Sequence, residues 1–345
     1  MRAVVFDEIG AAPEVRDVAD PVAPAGGVVV RVHATGLCRS DWHAWAGHDE
    51  IALPHVPGHE LAGVVTAVGE DVASWRVGDR VTVPFVCGCG ACEWCLRGDA
   101  QVCPDQQQPG FTHWGSFAEL VALHAADTNL VAIPEGISYE AAASLGCRFA
   151  TAYRGLAARA RVQAGEWVTV VGAGGVGLSA VMIAHALGAH VVAVDRNPPA
   201  LDLARRLGAD HTVLSDGRDV PEAVHGITRG GGHVSVDAVG LEQTASDAIR
   251  SLRRRGRHVQ IGLLPASEGH PRLPMDRVIG WELDLLGSHG MAAADYPGML
   301  ALIEAGTLEP QRLIERLVGL DDAAALLPGM DRSASAGMTM IDPSR

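Results

Sequence analysis

The sequence predicts a mainly β first part followed by an α/β part built on a doubly wound parallel sheet, and three observations carry this expectation. Up to residue 148, short Val-rich runs alternate with turns such as "GED" and "VGD" and helical signals are few, the texture of an all-β domain. From residue 149 to 287, apolar strand-like runs alternate with helical patterns, as successive βαβ units require. A length of 345 residues also exceeds the usual size of one hydrophobic core.

The opening "MRAVVFDEIG" alternates as a strand does and lacks the long apolar run of a secretory leader, so a cytoplasmic protein is expected. The formal net charge is -14, a balance that repels nucleic acid and anionic membranes. The one basic run, "SLRRRGRH" at 251–258, is read as a solvated helix end. All basic charge is arginine, which excludes a Schiff-base lysine and the Walker lysine.

Going along the chain, "GLCRSDWH" offers Cys38, Arg39, Ser40, Asp41 and His43 on an expected loop, "PGHELAG" offers His59 and Glu60, and "LGCRFATAYRGL" offers Cys147. Two thiolates and one imidazole make a ligand set for a catalytic zinc, whose fourth position is left to water or substrate. Each of these residues taken singly is equally readable as buried structure.

Between these segments, residues 87–103 form a lobe, "CGCGACEWCLRGDAQVC", that holds five of the seven cysteines. Cys89, Cys92, Cys95 and Cys103 are spaced so that a tight loop turns four thiolates to one point. In a reducing compartment, clustered thiolates of this kind are metal ligands, and four of them close a structural zinc site. Cys87, one residue from Cys89, is left out as a bystander.

"VTVVGAGGVGLSAVMIAHALGAHVVAVDRN" then gives a strand, Gly172, Gly174 and Gly177 in G-x-G-x-x-G spacing, a helix, and a second strand ending at Asp195. This is the setting in which the motif binds a dinucleotide: the pyrophosphate lies on Gly174, Gly175, Val176 and the helix N-terminus, and the acid accepts from the adenosine ribose. A carboxylate at Asp195 repels the extra phosphate of NADP and favours NAD, with Arg196 beside it as the one feature that tolerates NADP. "HVSVDAVG" (233–240), "RHVQIGLLP" (257–265) and "WELDLLGSHG" (281–290) continue the sheet, "EQTASDAIRSLRR" supplies a helix between the first two, and "YPGMLALIEAGTLEP" is an amphipathic helix stopped by Gly306.

"GHELAGVV", the four-cysteine lobe and "GAGGVG", in that order, make the chain resemble the zinc-dependent alcohol dehydrogenases of the medium-chain dehydrogenase/reductase superfamily over nearly its whole length. The resemblance implies a GroES-like catalytic domain, formed by residues 1–148 and a return at 288–345, around a Rossmann NAD-binding domain at 149–287. It implies two zinc ions per chain: a catalytic one on Cys38, His59 and Cys147 with Glu60 able to approach, and a structural one on the four lobe cysteines. Asp41 would orient the ligating imidazole. The implied reaction is reversible hydride transfer between an alcohol, bound as its zinc alkoxide, and NAD, giving an aldehyde or ketone. Ser40 would take the alcohol proton and pass it through the nicotinamide ribose to His43.

Arg39 matches a pyrophosphate contact, and Thr151, Ala238, Val239, Ile261, Gly262, Leu263 and Leu286 match positions around the nicotinamide and its ribose. Trp42, Trp45, Phe85 and Trp114 are candidates for an apolar substrate slot, with core packing the equal alternative. The resemblance also implies a homotetramer or homodimer acting on a small alcohol or aldehyde, with neither nucleic acid nor membrane as partner. Related polyol, threonine or formaldehyde-type dehydrogenases, and a non-catalytic NAD-binding redox sensor, are the competing expectations.

Overall fold

A computed structural model describes residues 1–264, 270–332 and 336–345. Its first large sheet is built on the strand Val28–Leu37, whose valines alternate with polar residues at one end and run apolar on both faces at the other. Leu61–Val68 pairs antiparallel with it, followed by Arg80–Thr82 and Val131–Ala132, while Leu120–Leu123 pairs with its opposite side. Late in the chain, Ile314–Val318 and Met338–Ile341 come back to this sheet, with Thr339 opposite Leu37. A small hairpin, Arg2–Val5 with Glu14–Asp17, lies apart from it.

The second sheet has six strands, all parallel, in the order His211–Leu214, His190–Asp195, Trp167–Val171, Gly232–Asp237, Leu252–Gln260, Asp284–Gly287. In chain order this is 3-2-1-4-5-6, the doubly wound arrangement. The strand order reverses between Trp167–Val171 and Gly232–Asp237, and the C-terminal ends of the strands at such a switch point are where doubly wound sheets bind their ligands. The strands Trp167–Val171 and His190–Asp195 are buried on both faces and accordingly read as near-continuous Val runs.

Between the sheets the chain passes through helical turns from Tyr139 to Arg159, with wider π-type turns at Leu145–Phe149 and Gly155–Arg159. Phe149, Ala150 and Leu156 are fully buried here. They join Ala34 and Ala62 of the first sheet to Val170 and Val236 of the second in one continuous core. Tyr296, also fully buried, directs its hydroxyl at the Leu145 carbonyl, 3.4 Å away.

Several sequence expectations are corrected. "SLRRRGRH" is mostly strand rather than helix end: the helix stops at Arg250 and Leu252–Gln260 follows. Arginines hide a strand from a propensity reading, and here the strand is irregular, with Arg255 at φ +63° and a register shift opposite Gly232 to Val234. Its guanidinium groups are taken locally: Arg253 by His233 and the Gly231 carbonyl, Arg255 by Glu282, and Arg257 by Glu166. The strand expected at 257–265 ends at Gln260, and Pro265 lies outside the described residues, as do 333–335 of the C-terminal "SASAGMTMIDPSR". Ser40 and His43 lie on a helix, Arg39–Trp45, and not in a loop.

The glycine turn is tightly constrained. Gly172 has φ +94°, and a Cβ on Gly177 would stand 1.7 Å from the Gly172 carbonyl oxygen, whereas one on Gly174 would meet nothing within 4 Å. The first and third glycines therefore serve the turn and the close strand–helix packing, and the second leaves open space where a ligand backbone would lie. Gly177→Ala is expected to cost about 1–3 kcal/mol through overpacking, lowering the thermal transition. Gly174→Ala should leave that transition nearly unchanged.

Candidate active site

Cys38 ends the strand Val28–Leu37 and begins the helix Arg39–Trp45. That helix is short and poor in strong helix formers, so its start depends on a cap: Asp41 accepts from the Cys38 N–H at 2.9 Å. The same carboxylate accepts from the Gly58 N–H at 3.1 Å and from His59 Nδ1 at 2.9 Å. Asp41 and His59 are both fully buried. With Nδ1 protonated toward Asp41, the imidazole presents a bare Nε2, and this atom is buried with no hydrogen-bond partner.

That orphaned nitrogen tests whether a metal fits. The ligand atoms of Cys38, His59, Glu60 and Cys147 all lie within 4.8 Å of one another, and a buried lone pair facing two thiols is what a zinc ligand set requires. Cys147 arrives on the π-type turn Leu145–Phe149, and Thr151, one turn on, donates its hydroxyl to the Cys147 carbonyl at 2.7 Å. Glu60 is held by Arg148, which sequence reasoning left without a role. Arg148 donates from its backbone N–H (3.0 Å), from Nε to both carboxylate oxygens (2.9 and 3.0 Å), and from Nη2.

The lobe offers a second fit. The sulfur of Cys92 lies 3.5 Å from that of Cys95 and 3.7 Å from that of Cys103. Four Zn–S bonds of about 2.3 Å in a tetrahedron place sulfurs roughly 3.8 Å apart. Backbone N–H groups of Ala91 and Cys92 bring the Cys89 thiol down to about 7, while burial pushes Cys95 up to about 12. Four adjacent thiols resist joint ionisation, and a dication removes that resistance. Asn129, unremarked in the sequence, fastens the lobe by bonding Gly88 through both its oxygen (2.8 Å) and its nitrogen (2.9 Å). Cys87 stands apart: it is buried, bonds the Pro84 carbonyl, and its thiol is pushed up to about 12 by burial.

His43 faces outward from the same helix as Ser40, and its Nδ1 lies 2.8 Å from Nδ1 of His48. Burial holds its pKa below the usual imidazole value, with Arg39 and His48 adding to the effect. Arg39 packs over Trp42 and donates to the Met330 carbonyl at 2.9 Å. Phe85 lies against His59, ring centroids 6.0 Å apart, and against His289 at 5.2 Å; Phe111, not singled out in the sequence, is 5.2 Å from His59. Trp45 packs with Met1 and Trp42 on the cluster around Val4 and Leu320 and bonds the Ala11 carbonyl, and Trp114 bonds the Pro54 carbonyl.

At the second sheet, Asp195 accepts from the Ala173 N–H at 2.5 Å and the Asn197 N–H at 2.8 Å, so the acid is tied to the glycine turn itself. Across the switch point, 237–240 and 260–263 lie backbone to backbone: a Cβ on Gly262 would be 2.2 Å from the Gly240 nitrogen. Asp237 ties the pair together, accepting from Val239 N–H and from Gln260. Ala238, Ile261 and Gly262 are half-buried along this edge, with Val239 and Leu263 exposed. Leu286 sits half-buried on the neighbouring strand Asp284–Gly287.

Comparison with known proteins settles the family. Residues 24–135 match the alcohol dehydrogenase GroES-like domain, and residues 175–305 match the zinc-binding dehydrogenase domain. An alcohol dehydrogenase of Geobacillus stearothermophilus is 37% identical over 268 residues, covering 77% of this chain and 78% of the relative. The chain belongs to the zinc-dependent alcohol dehydrogenases of the medium-chain type. A solved NAD-dependent alcohol dehydrogenase superposes with a TM-score of 0.89 at 32% identity, covering 99% of both chains. The alcohol dehydrogenase TADH from Thermus sp. ATN1 does so with a TM-score of 0.90 at 31% identity, again over 99% of each. No helix among the described residues is long and apolar enough to cross a membrane.

The two metal sets predict a simple stoichiometry. Metal analysis should find two zinc ions per chain, and Cys38→Ser should lose one with the thermal transition little changed. Cys92→Ser should also lose one, but with a marked fall in that transition, because the lobe has little apolar core of its own to hold it.

Proposed function

We propose that this chain interconverts a small alcohol and its aldehyde or ketone with NAD, using Cys38, His59 and Cys147 to hold a catalytic zinc and Ser40 and His43 to carry the proton. The observation that carries this reading is the buried, unpartnered Nε2 of His59, facing two thiols near the junction of the two sheets. Zinc held there supplies a Lewis acid that makes an alcohol hydroxyl acidic near neutral pH, and NAD supplies the hydride acceptor.

The residues of the chain account for the rest. Asp41 fixes the His59 tautomer and the start of the relay helix together. With substrate and cofactor bound, Ser40 would accept the alcohol proton and His43, whose pKa burial holds below the usual imidazole value, would take it up in turn. Asp195 accepts from the adenosine ribose, and its negative charge disfavours a phosphate in that place. Phe85, Phe111 and His289 present an apolar wall beside the metal set, suited to aliphatic or aromatic substrates and not to sugars. The lobe cysteines hold a structural zinc. Free cysteines in two metal sets agree with a reducing cytoplasm. The exposed edge strand Asp284–Gly287, with Ile279 exposed nearby, agrees with a homotetramer or homodimer.

Oxidation of NADH, followed by its absorbance against a panel of aldehydes, tests the reading. Turnover is expected with NADH in preference to NADPH, and Cys38→Ser should reduce it by roughly 10³-fold, as loss of several kcal/mol of Lewis-acid stabilisation implies. Unchanged turnover in that variant would remove the metal from the chemistry. In the alcohol-oxidising direction, kcat should fall as pH drops through the lowered pKa of His43, because the protonated imidazole accepts nothing. His43→Gln should lower kcat by on the order of 10²-fold and flatten that acid limb.

A further inference from the structure

Arg148 touches both halves of the site. Its guanidinium and backbone N–H occupy both oxygens of Glu60, and its side chain runs against Gly175, the first residue of the nucleotide-binding helix: a Cβ there would stand 2.5 Å from Arg148 Cδ and 3.2 Å from Nη1. On the other side, Gly36 leaves the room that the pair fills, since a Cβ on it would lie 2.1 Å from Glu60 Oε2 and 2.8 Å from Arg148 Nη2. Arg148 and Glu60 are both buried.

The charges explain why such a pair would be kept. A dication balances two thiolates and Asp41 is met by three N–H donors, so Glu60 is the buried carboxylate that needs a counter-charge, and Arg148 supplies it. One Glu60 oxygen also lies within ligand reach of Cys38, His59 and Cys147, so an unrestrained carboxylate competes for the place an alcohol must take. The pyrophosphate of a dinucleotide lands at the N-terminus of the helix against which this arginine rests. Resting on the metal-site reading above, we infer that Arg148 is a positioning residue that keeps Glu60 from the fourth metal position and links that hold to dinucleotide binding at the glycine turn.

Cobalt in place of zinc gives a visible spectrum that reports coordination number without requiring turnover. The spectrum of cobalt-loaded Cys38→Ser, in which only the four-cysteine set is filled, is subtracted to isolate the catalytic site. In the unmodified protein the difference spectrum should be that of a four-coordinate centre and should shift on titration with NADH. Arg148→Met should show weaker, shifted bands as Glu60 becomes a ligand, with the NADH response lost. Arg148→Met combined with Glu60→Gln should regain the four-coordinate bands but not the response, and Arg148→Lys, which keeps charge without the two-pronged grip, should fall between. Glu60→Gln alone, which retains the arginine, covers the case in which Arg148→Met does not fold, and it should respond to NADH less than the unmodified protein does.

Bands and NADH response unchanged in Arg148→Met, or a full response in Glu60→Gln, would overturn the inference while leaving the metal site standing. Absence of a second cobalt from the unmodified protein would instead overturn the metal-site reading, and the inference with it.

Discussion

One fully buried carboxylate holds the catalytic geometry together. Asp41 receives the Cys38 N–H, the Gly58 N–H and His59 Nδ1, so the start of its own helix and the segment Gly58–His59 are pinned to two oxygen atoms. A lone buried charge would be costly, and these three donors are what make it tolerable. Because Asp41 is also the third residue of the helix Arg39–Trp45, one carboxylate both orients the imidazole of His59, the proposed ligand, and starts the helix that carries Ser40 and His43. Ser40 and His43 are therefore held relative to Cys38 and His59, the proposed metal ligands, through short connections and not through the packing of a long helix.

The third proposed ligand, Cys147, comes from the other direction. Cys147 lies on a turn of π type between a helix that packs on the first sheet and helical turns that pack on the second. Such a turn carries an extra residue per loop and displaces a side chain from the regular spiral, which is how functional groups are commonly re-aimed. Phe149, fully buried and two residues on, anchors it in the core shared by both sheets. Cys147 and Arg148 thus lie where the two sheets meet, and Arg148 contacts the glycine turn as well as Glu60.

What the sequence made legible was chemistry with strict spacing. The glycine turn is readable because the backbone at Gly172 and Gly177 leaves no room for a side chain, and the lobe is readable because four thiolates meet only at certain separations. The parallel doubly wound sheet follows from alternation of strands and helices, whereas that pattern leaves the strand His211–Leu214 at its edge unmarked. Contacts between residues distant in the chain left no such trace. Arg148 looks like any arginine following a cysteine, Asn129 like a turn residue, and Phe111 and His48 acquire meaning only from neighbours that folding brings to them. Trp45 shows the converse, since an aromatic beside a catalytic motif is as good a core residue as a pocket wall, and this one is fastened to Ala11 within the cluster around Val4. The strand Leu252–Gln260 was obscured because its arginines are satisfied by partners on other strands and loops.

The five lobe cysteines show how far position alone separates residues of one type. Cys87 is buried among Val81, Val83 and Leu123, where no donor lowers the cost of a thiolate, and it stays a thiol. Two residues later, Cys89 lies where the chain turns its N–H groups inward, and the first ionisation of the set falls there, near 7. Cys95 and Cys103 are raised, by burial first, with their sulfur neighbours adding to it, so the same loop that favours the Cys89 thiolate opposes theirs. A loop arranged in this way is incomplete as an all-thiol structure and complete around a dication. The lobe's fold and its metal are thus one equilibrium, which explains how a segment with only a four-residue helix, Glu93–Leu96, and one 3-10 turn keeps a defined shape.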